Sequence, residues 1–246
     1  MSRPVFIHTD PTALVVGESV TLRGDEGRHA VSVKRTTVGE ELELVDGHGT
    51  RAVVTVTAVA GKDHVTGQVT EVTLEPAPKP TVTVVQALPK VARSELAVDL
   101  LTQAGADVIV PWQATRSVAK WVGAKQEKGV AKWQATAVAA AKQSRRARVP
   151  QVSPVVGTTG VIELITQAAL TLVLHEDAQV GIATQPLAAA ESIVLIIGPE
   201  GGISPEELAA VVAAGAQPVK LGPEVLRTAS AGMVALAAIG VQSGRW

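Results

Sequence analysis

The chain has 246 residues, 46% of them hydrophobic, which is enough for one large domain or two smaller ones with real cores. It contains no cysteine, four Trp, one Phe and no Tyr. Disulfides, thiolate nucleophiles, iron–sulfur clusters and cysteine-ligated zinc are thereby excluded, and cores must be built from Val, Leu, Ile and Ala. The net charge of −1 hides a segregation: Lys90 to Arg148 carries eleven Lys/Arg against four Asp/Glu, net +7, against −8 in the remainder.

In chain order, the opening MSRPVFIHTD lacks the basic–apolar–small order of a secretory signal, and no run of about 18 apolar residues follows anywhere. A soluble, cytoplasmic protein is expected. Residues 1–74 read as a small β domain of the barrel or sandwich kind. ELELVDGHGT (41–50) is a strand running into an Asp46-Gly47 turn, and AVVTVTAVA (52–60) and HVTGQVTEVTL (64–74) alternate as strands do. EPAPKP (75–80) interrupts both periodicities and predicts a linker.

From residue 81 to 246 strands and helices alternate, which predicts an α/β domain. TVTVVQAL (81–88) is a strand, and SELAVDLLTQAG (94–105) a helix capped by Ser94 and ended by Gly105. DVIVPW follows as a strand. A long helix over about 129–146 carries Val130, Trp133, Ala137, Val138 and Ala141 on one stripe. LTLVLHE (170–176) and SIVLIIG (192–198) are continuous apolar runs, as in strands buried on both faces of a parallel sheet. Ser204-Pro205-Glu206-Glu207 is a capping box with proline at the first helical position. PVKLG is a further strand and RTASAGMVALAAIGVQ a closing helix.

Ligands of open α/β sheets bind beyond the carboxyl ends of the strands, and three such ends are unusual here. They are LHE (174–176), GPEGG (198–202) and LGPEVLRTASAG (221–232). The chain has no Walker A sequence, no early G-x-G-x-x-G and no G-x-S-x-G, and Pro199 removes a backbone donor that a phosphate cradle would use. The five His show no HExxH spacing, so no metal site is expected. What remains are loops rich in backbone N–H and C=O groups, suited to the edges of a nucleoside cofactor.

IIGPEGGISPEE and VKLGPEVLRTASAGMVAL, preceded by KWQATAVAAAKQSRRARVP and ALPKVARSELAVDLLTQAGADVIVPWQATRS, resemble the RsmE family over residues 3–243. Its members are SPOUT-class enzymes that methylate N3 of a uridine in small-subunit 16S ribosomal RNA. GDEGRHAVSVKRTTVGEELELVDGHG resembles the family's PUA-like barrel. The resemblance implies a PUA-like β-barrel, a trefoil-knot α/β domain, a homodimer and S-adenosylmethionine as cofactor. The cofactor would lie against Leu174, His175 and Glu176; Ile197, Gly198, Pro199, Gly201 and Gly202; and Leu221, Gly222, Leu226 and Thr228. Where the family often has LRTETA, this chain has Ala229 in place of the glutamate.

Uridine N3 carries a proton and needs a base or a cation that stabilises its anion. Arg227 is the candidate cation, or else a knot arginine bonded to carbonyls. Glu200 either accepts a proton or holds its loop, and His175 either serves as base or packs the cofactor. For RNA the candidates are Arg28, Lys34, Arg35, Lys90, Arg93, Arg116, Lys132, Lys142, Arg145, Arg146 and Arg148, several of them on phosphates. A non-catalytic ribosome-assembly protein on the same fold, an enzyme acting on another RNA, and a nucleoside sensor or metabolic enzyme are the alternatives.

Overall fold

The computed structural model describes residues 3–246, which form two compact units. Unit 1 holds the chain as far as Ala77 together with Ala141–Val149; unit 2 holds Pro78–Ala140 and Pro150–Trp246. Among the described residues no helix is long and apolar enough to cross a membrane.

Unit 1 is built on β1 (Val5–Ile7), β2 (Ser19–Leu22), α1 (Gly24–Arg28), β3 (Glu41–Val45), β4 (Thr50–Ala60) and β5 (His64–Leu74). The sheet order is β1-β3-β4-β5-β2, antiparallel except for the parallel β1–β3 pair. Register shifts at Val53/Val54 and Val56/Ala58 bend the long β4–β5 pair, as bulges do. The inward residues of all five strands, Phe6, Val20, Leu42, Val54 and Val65 among them, share one core. The Asp46-Gly47 turn joins β3 to β4 as a hairpin, its Asp46 carboxylate accepting from the N–H groups of His48 (2.7 Å) and Thr50 (2.9 Å). Burial works against the charge of Asp46, but the bonds from Thr50 and His48 outweigh it and hold the carboxyl below its usual range.

The segment Ala141–Val149 completes this unit, although periodicity assigns it to the second domain. Ala147 packs with Val5 and Val45, and Gly49 N–H and Val149 N–H donate to Ala147 O and Gly47 O. Lys142 bonds Glu26 at 2.5 Å while lying 5.9 Å over the Phe6 ring.

Unit 2 runs β6 (Thr81–Ala87), α2 (Val91–Gln103), β7 (Val108–Trp112), α3 (Ala124–Gln143, its last turn counted with unit 1), β8 (Gln151–Val152), α4 (Thr158–Gln167), β9 (Leu170–Leu174), β10 (Ser192–Ile197), α5 (Pro205–Ala213), β11 (Gln217–Val219) and α6 (Thr228–Ser243). All strands are parallel, in the order β11-β9-β10-β6-β7-β8. Their apolar runs are buried on both faces, as parallel sheets require. On one face Val85, Trp112, Val173 and Ile196 pack with Val161 of α4 and Val211 of α5. On the other α6 crosses α2 at Gly232, where the side chains of Leu101 and Ile197 fill the place a Cβ would take.

The chain leaving β11 is laced to the loop after β9: Lys220 N–H donates to Val180 O and Ile182 N–H to Lys220 O, both at 2.9 Å. It then returns as α6, giving the expected α/β-knot architecture. The end of α6 is clamped at the other end of the sheet. Arg245 bonds Asp107 through both guanidinium nitrogens (3.0 and 3.1 Å) and also donates to Pro80 O and Gly105 O.

Several elements differ from the sequence expectation. α2 starts at Val91, ahead of the expected Ser94 cap, because the Ser94 hydroxyl instead accepts the Trp133 indole N–H at 2.8 Å. α3 runs from Ala124 to Gln143 rather than over 129–146; Arg145 beyond it has φ 59°, which ends helical geometry. α4 is unforeseen, and only Gln217–Val219 of the last strand pairs.

Candidate active site

Strand order changes direction between β10 and β6: β7 and β8 follow on one side, β9 and β11 lie on the other. A crevice beyond the carboxyl ends is the ligand site of such sheets. One cleft of about 800 Å³ lies there, a size common for small-molecule sites. All twelve residues expected at the cofactor line it, together with Glu200 and Arg227. Sequence reasoning missed Asp177, Glu224 and Lys220, which sit in the same loops and also line it.

Each loop is shaped by local chemistry. In GPEGG the Gly202 N–H donates to Pro199 O at 2.9 Å, closing a turn, and Gly202 has φ 73°, a conformation glycine tolerates without strain. Ser204 and Glu207 complete the capping box that starts α5. The exposed Glu206 carboxyl is held below its usual range by its own N–H and the Ser204 hydroxyl, keeping negative charge at the helix's positive end. After β9, His175 Nδ1 accepts the Asp177 N–H at 3.3 Å. That bond fixes the ring so that Nε2 is the nitrogen left to meet a ligand.

Glu200 is split in function. Its Oε1 accepts the Lys90 N–H at 3.0 Å, capping α2 from a distant loop. Its Oε2 is buried without a hydrogen-bond partner among the described residues. Arg227 immediately precedes α6; its carbonyl accepts from Ser230 and Ala231, while its exposed side chain bonds no carbonyl or carboxylate among the described residues. Arg227 is therefore not the carbonyl-bonded arginine weighed from the sequence. Ala229, in the position of the family's glutamate, is buried in the first turn of α6.

Glu207, read from the sequence only as a helix cap, is 5% exposed. It accepts Thr115 N–H at 2.9 Å, the Thr158 hydroxyl at 3.0 Å and Ser204 N–H at 3.4 Å. Three segments thus meet on one carboxylate beside the GPEGG loop.

The basic candidates divide. Arg93 and Arg116 line the cleft, and Arg116 Nη1 donates to Gly201 O at 3.3 Å. Lys90 is exposed, and Lys132 pairs with Glu95 at 2.7 Å. In unit 1, Arg28, Lys34 and Arg35 are exposed around the short helical turns after β2. Lys142 is committed to Glu26, and Arg148 donates to Glu75 O at 2.6 Å with its Nε buried. Arg145 is exposed and Arg146 half-buried. No group of three His, Asp or Glu among the described residues could hold a metal.

A family model described as an RNA methyltransferase domain matches residues 75–240, and one described as an RNA methyltransferase PUA domain matches residues 22–70. The ribosomal RNA small subunit methyltransferase E of Mycobacterium bovis is 47% identical over 234 residues, 94% of this chain and 89% of its own. A methyltransferase from Legionella pneumophila, solved with bound S-adenosylmethionine, superposes with a TM-score of 0.88 at 26% identity, covering 98% of both chains. The methyltransferase E of Neisseria gonorrhoeae bound to S-adenosylmethionine gives 0.86 at 25% identity, again over 98% of both.

Proposed function

This chain belongs to the RsmE family of S-adenosylmethionine-dependent ribosomal RNA methyltransferases, and from that premise we propose that it methylates N3 of one uridine in the 16S RNA of the small subunit. The observation that carries the reading is the cleft itself. A parallel-sheet crevice is lined by three loops, with the Arg227 guanidinium and the buried Glu200 Oε2 on its wall, neither partnered among the described residues.

The cleft suits the cofactor. Ile197, Leu174 and Leu226 offer apolar contact to an adenine, and the turn at Gly201-Gly202 brings backbone close. S-adenosylmethionine supplies a sulfonium methyl for in-line displacement, where positioning of the two reactants provides much of the rate. Leu174, His175 and Glu176, Ile197 to Gly202, and Leu221, Gly222, Leu226 and Thr228 would hold it. Glu200 is fixed through Oε1 by Lys90 N–H, and its second oxygen, buried at the cleft wall, is assigned as the acceptor of the N3 proton. Arg227 stabilises the resulting uracil anion, a role whose loss typically costs about 10²–10³ in rate. His175 meets the cofactor through Nε2.

Arg28, Lys34, Arg35, Lys90, Arg93 and Arg116 are the phosphate contacts this reading retains. Lys142 and Arg148 leave the set because unit 1 uses their charge internally, and Lys132 is weakened by Glu95. The enzyme works as a homodimer in the cytoplasm: α6 and the loop before it expose Val225, Val234 and Val241, apolar surface suited to a second copy. Light scattering at micromolar concentration should return twice the 25.3 kDa chain mass.

The deciding experiment supplies methyl-labelled cofactor and small ribosomal subunits from a strain lacking the gene. One label per subunit, mapped to N3 of a single uridine, is expected; label-free RNA would refute the function, and label on another base would refute the site.

A further inference from the structure

Arg116 stands on the loop joining β7 to α3, and that loop is braced from within. The Gln113 amide donates to Ala119 O at 3.1 Å and accepts Trp121 N–H at 2.8 Å. Lys120 Nζ reaches the carbonyls of Ala114 and Thr115 at 3.4 and 3.3 Å. Its foot is fixed as well, because Thr115 N–H ends on the buried Glu207 carboxylate, which also caps α5. The residue beside Arg116 is therefore tied to the helix into which the GPEGG loop runs.

At the tip, Arg116 Nη1 donates to Gly201 O, and the Arg116 backbone lies against Gly201, its carbonyl oxygen 3.4 Å from where a Cβ on that glycine would stand. The side chain is otherwise exposed; Glu206 feels its charge, but no carboxylate lies within ion-pair distance among the described residues. A guanidinium has five N–H donors in a planar fork, so one held by a carbonyl leaves several for a phosphate.

We propose that Arg116 is a positioning residue that couples the two substrates, gripping an RNA phosphate with one edge of its fork and the cofactor loop with the other. The inference rests on the methyltransferase reading above. Fixing a long exposed side chain and a glycine loop removes conformational freedom. Whichever ligand binds first meets that loss, and the second binds to a loop already ordered, which is positive cooperativity without a large movement. Linkage makes the effect mutual. Glu207 anchors the arrangement so that the grip is transmitted to Gly201 instead of being absorbed by the loop.

The coupling is read without turnover by equilibrium dialysis of labelled S-adenosylhomocysteine, with and without saturating small ribosomal subunits. Subunits should tighten binding to the native enzyme by about 5-fold, at the low end of typical allosteric couplings. In Arg116→Lys the charge remains but the fork is gone; the salt slope of subunit binding should stay near native, and with subunits raised to saturation the coupling should still fall below about 2-fold. Arg116→Ala should abolish the coupling and restore nothing at higher subunit concentration. Native-like coupling in either variant, or none in the native enzyme, overturns the proposal while leaving the methylation intact. Failure of the native enzyme to label RNA instead removes the reading beneath it.

Discussion

A methyl group placed on Gly198 tests the architecture of the cleft most directly. It would stand 2.7 Å from Ile203 Cγ1 and 3.4 Å from both Ile203 Cδ1 and Ile203 N. Ordinary contact begins at 3.4 Å, so one partner must move by roughly 0.7 Å. Ile203 is 6% exposed and packed in the core with Val85, Ala114 and Val211, so it has no room to retreat. Overpacking of this kind costs about 1–3 kcal/mol. The loop is free only on its cleft side, so the displacement falls on the cofactor site. At tenfold per 1.4 kcal/mol, Gly198→Ala should weaken S-adenosylmethionine binding by about 5- to 100-fold. Gly157→Ala is the control: it lies outside the cleft lining, its new methyl meets nothing within 4 Å, and affinity should stay within about 2-fold. Calorimetric titration of both variants settles the matter. Equal affinities for the two would show that the GPEGG glycine is not shaped by Ile203 and that the reasoning is wrong.

Arg227→Ala should lower kcat by about 10²–10³ while changing the cofactor Kd less than about 3-fold, measured in single-turnover methylation. A parallel loss of cofactor binding would assign the arginine to the loop instead. Arg245→Ala removes both bonds to Asp107 and two carbonyl bonds, all partly buried, and should cost unit 2 about 3 kcal/mol in chemical denaturation; a loss under about 1 kcal/mol contradicts the clamp. Burial, then the nearby Lys142 and Lys34, depress the His29 imidazole below its ordinary value. A depressed folded value means the stabilisation is full above the unfolded pKa of about 6.5 and is lost as pH falls through the folded value. Melting of the native protein should drop over that range and that of His29→Leu should not.

Local periodicity made most of the second unit legible. Continuous runs of Leu, Val and Ile announced β9 and β10, and the Ser204 capping box announced α5 to the residue. The three loops at the carboxyl ends were found because each follows a strand-like segment. What escaped depends on partners far along the chain. Glu207 caps a helix by sequence, but its other donors lie 92 and 49 residues away at Thr115 and Thr158. The return of Ala141–Val149 to unit 1 rests on Ala147, Val5 and Val45, whose pairing leaves no trace in helical spacing. Counting charge could not separate Lys142 and Arg148, spent on Glu26 and on Glu75 O, from Arg116, which faces solvent.

The loop that carries Arg116 also carries Trp121, packed on Gly129 and edge-on to the Trp133 ring at 5.2 Å and 74°. The chain has four tryptophans and no tyrosine, so its near-ultraviolet emission comes from indoles alone. Trp112 and Trp133 are buried, and Trp246 packs its ring against Gly240 at the far end of α6. Two indoles meeting edge to face at that separation share excitation, and their combined optical activity depends on the angle between them. The enzyme thus contains its own goniometer: ordering of the 113–123 loop can be watched by circular dichroism, without a label.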